Sequence, residues 1–444
     1  MLCASLFWYI VDFIYRLGEV FLRMEQIVIN GRRPLQGKVQ ISGAKNAAVA
    51  IIPAALAANG ICIIDNLPNI EDVVSLRKAI TNLGAKCKLH DAHTMEIDAR
   101  NITLFKIGKD EARFMRASYY LLGVLLGRFG EAEVPVPGGC DLNVGGRTID
   151  YHLKGFEALG AETYQDDEVI RVKADKLVGA DIYLDSPSVG ATINIMMAAV
   201  FAEGNTIIDN AAKEPHVVDT ANFLNKLGAR IKGAGTDTLR IAGVRELGGG
   251  EYTVIPDPIE TGTYMIAAAI TGGDITVENV IPRHMESLTH KLKDMNCKVE
   301  EDLDFIRVWA DAPLKASVVR TSGYPGFPTD LQPQISTLLC TVKGKSKITE
   351  TIFDNRFRYV EELNKLGANF KVEGRAATTD GSCLFRGGEV SATDLRAGAA
   401  LVLAGLAADG EVRIGNIRHL DRGYEAFEEK FRALGADIRR VGHN

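Results

Sequence analysis

Hydrophobic and polar positions follow one another along the chain in a fixed succession that repeats. An apolar helical stretch runs into a glycine turn, at AANG around Gly60, RFGE around Gly130, AEGN around Gly204, TGGD around Gly273, VKGK around Gly344 and AADG around Gly410. A short β-rich run such as CIID, TIID or ITVEN follows. Next comes a stretch with helical apolar periodicity, as in VVDTANFLNKLGA and YEAFEEKFRALGA, and then strands of alternating polarity such as TLRIAG. The phrase Leu-Gly-Ala marks the register at Gly84, Gly160, Gly228, Gly367 and Gly435, where glycine predicts a helix C-cap. Met295-Asn296-Cys297 fills the one gap, so the intervals are 76, 68, 68, 71 and 68 residues. Six units of about 70 residues therefore account for the chain after Met24. Six such α/β units exceed what one core organises, which predicts two domains of three units each rather than a helical solenoid or a single doubly wound sheet.

Composition narrows the class further. With 46% hydrophobic and 24% charged residues in 444, the chain is an ordinary globular one, and long disorder, collagen and coiled coil are excluded. Lys and Arg number 51 against 57 Asp and Glu, a net charge of −6, so no global basic field serves nucleic acid or an acidic membrane, and anion binding must be local. The seven cysteines are scattered, with no CxxC or Cys/His cluster, and read as reduced thiols of a cytoplasmic protein. The first 23 residues, MLCASLFWYIVDFIYRLGEVFLR, are aromatic-rich but carry Asp12, Arg16, Glu19 and Arg23. That pattern suits neither a spanning helix nor a signal peptide, and residues 1–23 are expected to be an N-terminal extension, with a membrane-surface helix as the other reading.

The candidate chemistry gathers at the starts of the apolar helices. SGAKNAAVA, MRASYYLL, SVGATINIMM, ETGTYMIAAA, TDLQPQISTLL and TDLRAGAALVL all open with small or polar residues, and three carry a cation: Lys45, Arg116 and Arg396. Helix N-termini already favour anions, so cations there point to a phosphate or carboxylate ligand between two domains. Cys140 lies in VPVPGGCDLNVGGRTID, a glycine-rich insertion confined to the second unit, close to Arg147; a thiol so placed can serve as nucleophile or proton donor. Asp330 in PTDLQ and Asp394 in ATDLR each read as an N-cap or as a carboxylate base. Arg356 and Arg422 are expected near helix starts, where arginine suits bidentate capture of carboxylate or phosphate.

Taken together, SGAKNAA, MRAS, PGGC, SVGAT, NAAKEPHVVDTANFLNKLGA, PDPIETGTYM, FPTDLQ, ITETIFDNRF, ATDLRA and HLDRGYE resemble the UDP-N-acetylglucosamine 1-carboxyvinyltransferase family of enolpyruvyl transferases, from Met24 to the C-terminus. The resemblance implies a two-domain inside-out α/β barrel built from six repeated units. Its domains would be 45–255, carrying the Cys140 loop, and 24–44 plus 256–444. It implies transfer of the enolpyruvyl group of phosphoenolpyruvate to the 3-hydroxyl of UDP-N-acetylglucosamine with release of phosphate, the first committed step of peptidoglycan synthesis. It implies no metal or organic cofactor, no nucleic-acid partner and no need of a membrane.

By the same matching, Cys140 protonates the methylene carbon of phosphoenolpyruvate and can form an adduct with it, and Asp330 is the base for the sugar hydroxyl. Lys45, Arg147 and Arg422 surround the phosphate, Arg356 and Arg396 lie near the carboxylate, and Asn46 lies beside the ketal centre. The nucleotide sugar would meet Arg116, the run Arg147, Thr148, Ile149, Asp150 and Tyr151, the run Ser186, Pro187, Ser188 and Val189, and Ile352. The chain departs from the family pattern in the longer DLNVGG stretch between Cys140 and Arg147, in Thr148 where proline is common, in Asp354 where glutamate is frequent, and at Pro258. These departures would fit a second, divergent copy of the enzyme.

Three rival readings remain at this point. The sister transferase that acts on shikimate 3-phosphate lacks the PGGC loop, and its usual Gly-Ser-Lys-Ser opening differs from SGAKN. A structural or nucleic-acid clamp built of repeats predicts a basic lining, against the net charge of −6. An inactive sensory paralogue would not need every matched catalytic position filled.

Overall fold

The computed structural model describes residues 25–108, 116–136 and 149–442. The N-terminal extension, Cys140, Arg147 and Thr148 lie outside these, and for Arg116 only the backbone is described. Six sheets are present among the described residues, five of four strands and one of three. The four-stranded sheets share one plan, in which an edge strand runs parallel to its neighbour and the remaining pairs are antiparallel. In one of them Asp181–Tyr183 runs parallel to Asn205–Asp209, which pairs antiparallel with Thr238–Ala242, which pairs with Arg230–Lys232. The three-stranded sheet, Glu131–Pro135, Val169–Lys173 and Glu162–Gln165, keeps the same plan in reduced form, its parallel edge shrunk to a single bridge between Lys106 and Glu133.

The helices in chain order are α1 Lys45–Ala54, α2 Glu71–Asn82, α3 Tyr120–Phe129, α4 Asp150–Ala158, α5 Val189–Ala199, α6 Pro215–Lys226 and α7 Pro258–Thr271. They continue as α8 Glu286–Asp294, α9 Gln332–Thr341, α10 Tyr359–Lys365, α11 Leu395–Ala407, the four-residue α12 Arg418–Asp421 and α13 Phe427–Ala433. The first helix of each unit is buried nearly all round: α1 from Ala47 to Ala54, α11 from Arg396 to Leu406. The second helix buries one face, which is why only it shows helical periodicity in the sequence.

The small residues that make the first helices apolar also let them approach closely. On α3, a Cβ added at Gly123 would stand 2.1 Å from the Asn194 carbonyl oxygen of α5. The Asn194 side chain accepts from Gly123 N at 2.7 Å, donates to Tyr119 O at 2.7 Å and meets His152 Nδ1 at 2.8 Å, so one buried amide joins α3, α4 and α5. Burial pushes the His152 pKa down to about 4, leaving the ring neutral.

The Leu-Gly-Ala phrase closes the second helix of every unit in the same way. The amide of its third residue reaches back to the carbonyl five positions earlier, from Ala85 to Ile80, Ala161 to Phe156, Ala229 to Leu224, Cys297 to Leu292, Ala368 to Leu363 and Ala436 to Phe431. This bond requires a left-handed residue in the middle position. Five glycines take it, and in the degraded copy Asn296 does so at φ 74°.

Two hydrophobic cores form. One gathers residues between Ala44 and Val254; the other gathers Ile27 to Ile41 with Ile259 to Ile438. The chain crosses between them twice, at 42–45 and 254–258, and the crossings lie side by side. Ala44 N donates to Ile255 O at 2.7 Å and Asp257 N to Ser42 O at 2.9 Å. Asp257 ties both helix starts together: one carboxylate oxygen caps α7 through Ile259 N and Glu260 N, and the other accepts from Lys45 N at 2.8 Å.

Candidate active site

The described members of both cation groups implied by the family resemblance, Lys45 with Arg422 and Arg356 with Arg396, pair with carboxylates of the chain. Lys45, opening α1, pairs with Asp72 Oδ2 at 3.0 Å, and Arg422 reaches the same carboxylate through Nε at 3.0 Å. Arg422 follows the short helix α12 as its C-cap, which corrects the expectation of a helix start. Burial favours the neutral form of Asp72, but Lys45 and Arg422 outweigh it and hold its pKa below the ordinary carboxylate value.

The second group centres on Asp330. Its Oδ1 accepts from Arg356 Nη2 at 3.1 Å and its Oδ2 from Arg396 Nη2 at 2.9 Å. Asp394 caps α11 through Arg396 N and Ala397 N, whereas Asp330, in the same Thr-Asp-Leu triplet, sits inside a 3-10 turn over Thr329–Leu331 whose N-cap position is Pro328. Arg396 is 5% exposed; burial opposes its charge, and Asp330 more than restores it, raising its pKa. The ring of Tyr424 lies 5.8 Å from its guanidinium carbon, within cation–π range.

Glu350, which the sequence reading passed over, shapes the neighbouring loop. Fully buried, it accepts from Thr321 Oγ1, Thr329 Oγ1, Ile352 N and Phe353 N, fixing both the Asp330 turn and the position of Ile352. Asp72 and Asp257 were missed as well, because an acid in the first turn of a helix, as Asp72 is, or at its N-cap, as Asp257 is, already has a local explanation in the helix dipole or in capping. The pairs that use them link residues 212 and 350 apart in sequence, which no local pattern reports.

Of the other matched positions, Ile149 precedes α4, which opens with Asp150 and Tyr151, while Ser186 and Pro187 lead to Ser188, which caps α5 through Ala191 N, and to Val189. Asn46 is the second residue of α1. Glu214, before α6, accepts from Tyr324 N at 3.3 Å and so joins the start of α6 to the loop that leads to Asp330. His216 stands within electrostatic reach of both cation groups: burial lowers its pKa, Glu214, Asp330 and Asp257 pull it up, and Lys45 pushes it down. The described cysteines lie in the body of the fold, with Cys62, Cys297, Cys340 and Cys383 buried and Cys87 half-buried. Among the described residues no helix is long and apolar enough to cross a membrane.

The described chain thus combines two α/β cores with two cation pairs, each gathered on one carboxylate: Lys45 and Arg422 on Asp72, Arg356 and Arg396 on Asp330. The family model described as EPSP synthase (3-phosphoshikimate 1-carboxyvinyltransferase) matches residues 29–431, and the chain belongs to that family. It is 56% identical to UDP-N-acetylglucosamine 1-carboxyvinyltransferase 3 of Caldanaerobacter subterraneus subsp. tengcongensis, over 94% of this chain and 100% of that one. It is 54% identical to UDP-N-acetylglucosamine 1-carboxyvinyltransferase of Clostridium botulinum, over 94% and 100%. Among solved structures it resembles the enolpyruvyl transferase NikO from Streptomyces tendae, with a TM-score of 0.86 and 26% identity over 95% of this chain and 99% of that one. EPSP synthase from Acinetobacter baumannii shares the fold, with a TM-score of 0.74 at 18% identity over 94% and 100%.

Proposed function

We propose that this chain transfers the enolpyruvyl group of phosphoenolpyruvate to the 3-hydroxyl of UDP-N-acetylglucosamine and releases phosphate, the first committed step of peptidoglycan synthesis. The relatives that match nearly end to end are named UDP-N-acetylglucosamine 1-carboxyvinyltransferase. The observation that carries the reading is the division of the cations into two pairs, Lys45 with Arg422 and Arg356 with Arg396, for a donor with two anionic groups.

In this reaction the sugar hydroxyl adds to C2 of phosphoenolpyruvate while a proton adds to C3. Asp330 takes the hydroxyl proton and Cys140 supplies the one to carbon. The resulting tetrahedral ketal loses phosphate as a proton leaves the new methyl group, which restores the double bond. Lys45, Arg147 and Arg422 stabilise the departing phosphate, and Arg356 with Arg396 hold the carboxylate. Asp330 shares both of those arginines, so arrival of the substrate carboxylate gives them a second partner and leaves the Asp330 carboxylate freer to accept a proton. The nucleotide sugar lies along Arg116, 147–151, 186–189 and Ile352. The two cores act as domains, 45–255 against 24–44 with 256–444, that close on the substrates and exclude water.

Phosphate release from phosphoenolpyruvate tests this reading, with UDP-N-acetylglucosamine or shikimate 3-phosphate as acceptor. Release is expected with the first acceptor alone. Asp330→Asn is expected to lower kcat by about 10²–10⁴ while UDP-N-acetylglucosamine binding stays within a few-fold, and Cys140→Ala to abolish turnover. Release that depends on shikimate 3-phosphate instead would contradict it.

A further inference from the structure

Asp72 lies outside the set of residues matched to substrate, yet it is the group around which the phosphate-facing cations are arranged. Its side chain is 6% exposed and its two oxygens take Lys45 at 3.0 Å and Arg422 at 3.0 and 3.4 Å. Lys45 and Asp72 belong to the first core's helices α1 and α2, whereas Arg422 comes from the segment after α12, on the second core. Beside this bridge, Arg418 reaches Glu71 at 3.4 Å and Glu425 accepts from Asn69 N at 3.1 Å, so residues 418, 422 and 425 each meet the first turn of α2 or the residues just before it.

A carboxylate held in two charge-assisted bonds by a lysine and an arginine presents to them the same chemistry as a phosphate oxygen pair. We propose that Asp72 is a positioning residue that competes with the phosphate of phosphoenolpyruvate, and with product phosphate, for Lys45 and Arg422. The inference rests on the substrate assignment above. When the cations turn to the substrate, burial favours the neutral carboxyl of Asp72, and the helix N-terminus opposes this only weakly. Asp72 then takes the two cations back as phosphate departs. The cost is weaker ground-state binding of phosphate; the gain is a cation pair already aligned between the two cores and a product that leaves readily.

Asp72→Asn keeps the shape and removes the competing charge. Inorganic phosphate, titrated as an inhibitor against phosphoenolpyruvate and separately by the rise in melting temperature it causes, is expected to bind about tenfold more tightly to this variant. KM for phosphoenolpyruvate and kcat should both fall, with KM for UDP-N-acetylglucosamine unchanged within about twofold; loss of structure alone would not produce that split. Asp72→Glu retains the charge and is expected to keep phosphate affinity within about twofold of the wild type, which provides the test should Asp72→Asn fail to fold. Phosphate affinity that is unchanged or weaker in Asp72→Asn, or a tenfold change in Asp72→Glu, would overturn the proposal. The melting measurement needs no turnover, so a chain inactive with UDP-N-acetylglucosamine would refute the assigned reaction while the Asp72 competition is still read directly.

Discussion

Asp330 and Asp394 stand in the same triplet, Thr-Asp-Leu, and do different work. Asp394 caps α11, as local chemistry predicts, while Asp330 turns to arginines 26 and 66 residues away. The sequence therefore made the capping role legible and left the ion-pair role to be settled by the fold, because ion-pair partners distant along the chain leave no periodic trace. Asp219 makes the same point for stability. It accepts from Tyr252 Oη at 2.6 Å and Ile255 N at 3.3 Å, no cation faces it among these contacts, and burial raises its pKa to about 6. Its unfolded value is about 3.9, so the folded state binds more protons between these values and stability falls as pH rises from about 4 to about 6. Asp219→Asn removes that dependence. Urea denaturation across pH should show the variant gaining on the wild type over this window, by on the order of 2 kcal/mol at its upper end; a difference that does not change with pH would contradict the assignment.

At the scale of elements, the repeat was the most legible feature, because its Leu-Gly-Ala phrase marks a backbone requirement rather than a surface preference. Asn296 shows why the phrase could degrade without loss: asparagine tolerates the left-handed conformation that the cap needs. The reduced sheet and the C-cap position of Arg422 were not legible, since both depend on where the chain travels between elements. Two glycines separate the two kinds of constraint. At Gly228 an added Cβ would meet nothing nearer than Leu247 Cδ2 at 3.9 Å, so Gly228→Ala should cost only the strain of its φ of 113°, about 1–2 kcal/mol. At Gly123 the new carbon would fall 2.1 Å from backbone oxygen, and Gly123→Ala should force α3 from α5 and cost clearly more. Thermal melting of the two variants side by side checks the order.

The whole molecule is held at its double crossing by Asp257, which serves the starts of α1 and α7 together, and by Lys430, which bonds Glu260 and Ser42. Because Lys45 opens α1, the residue that joins the cores also fixes a cation of the candidate site. Asp257→Ala is expected to lower stability by about 1–2 kcal/mol through lost capping and to raise KM for phosphoenolpyruvate more than KM for UDP-N-acetylglucosamine, measured by denaturation and steady-state kinetics. Six units and two domains could be expected from chain length and repetition alone. The crossing could not, for it consists of backbone pairs between segments more than 200 residues apart. Acceptor choice separates the assigned reaction from that of the sister transferase. The most direct test incubates the protein with phosphoenolpyruvate and an equimolar mixture of UDP-N-acetylglucosamine and shikimate 3-phosphate, then identifies by mass spectrometry which acceptor has gained the enolpyruvyl group. The prediction is UDP-N-acetylglucosamine alone; enolpyruvyl shikimate 3-phosphate as the product, or no product from either, would contradict it.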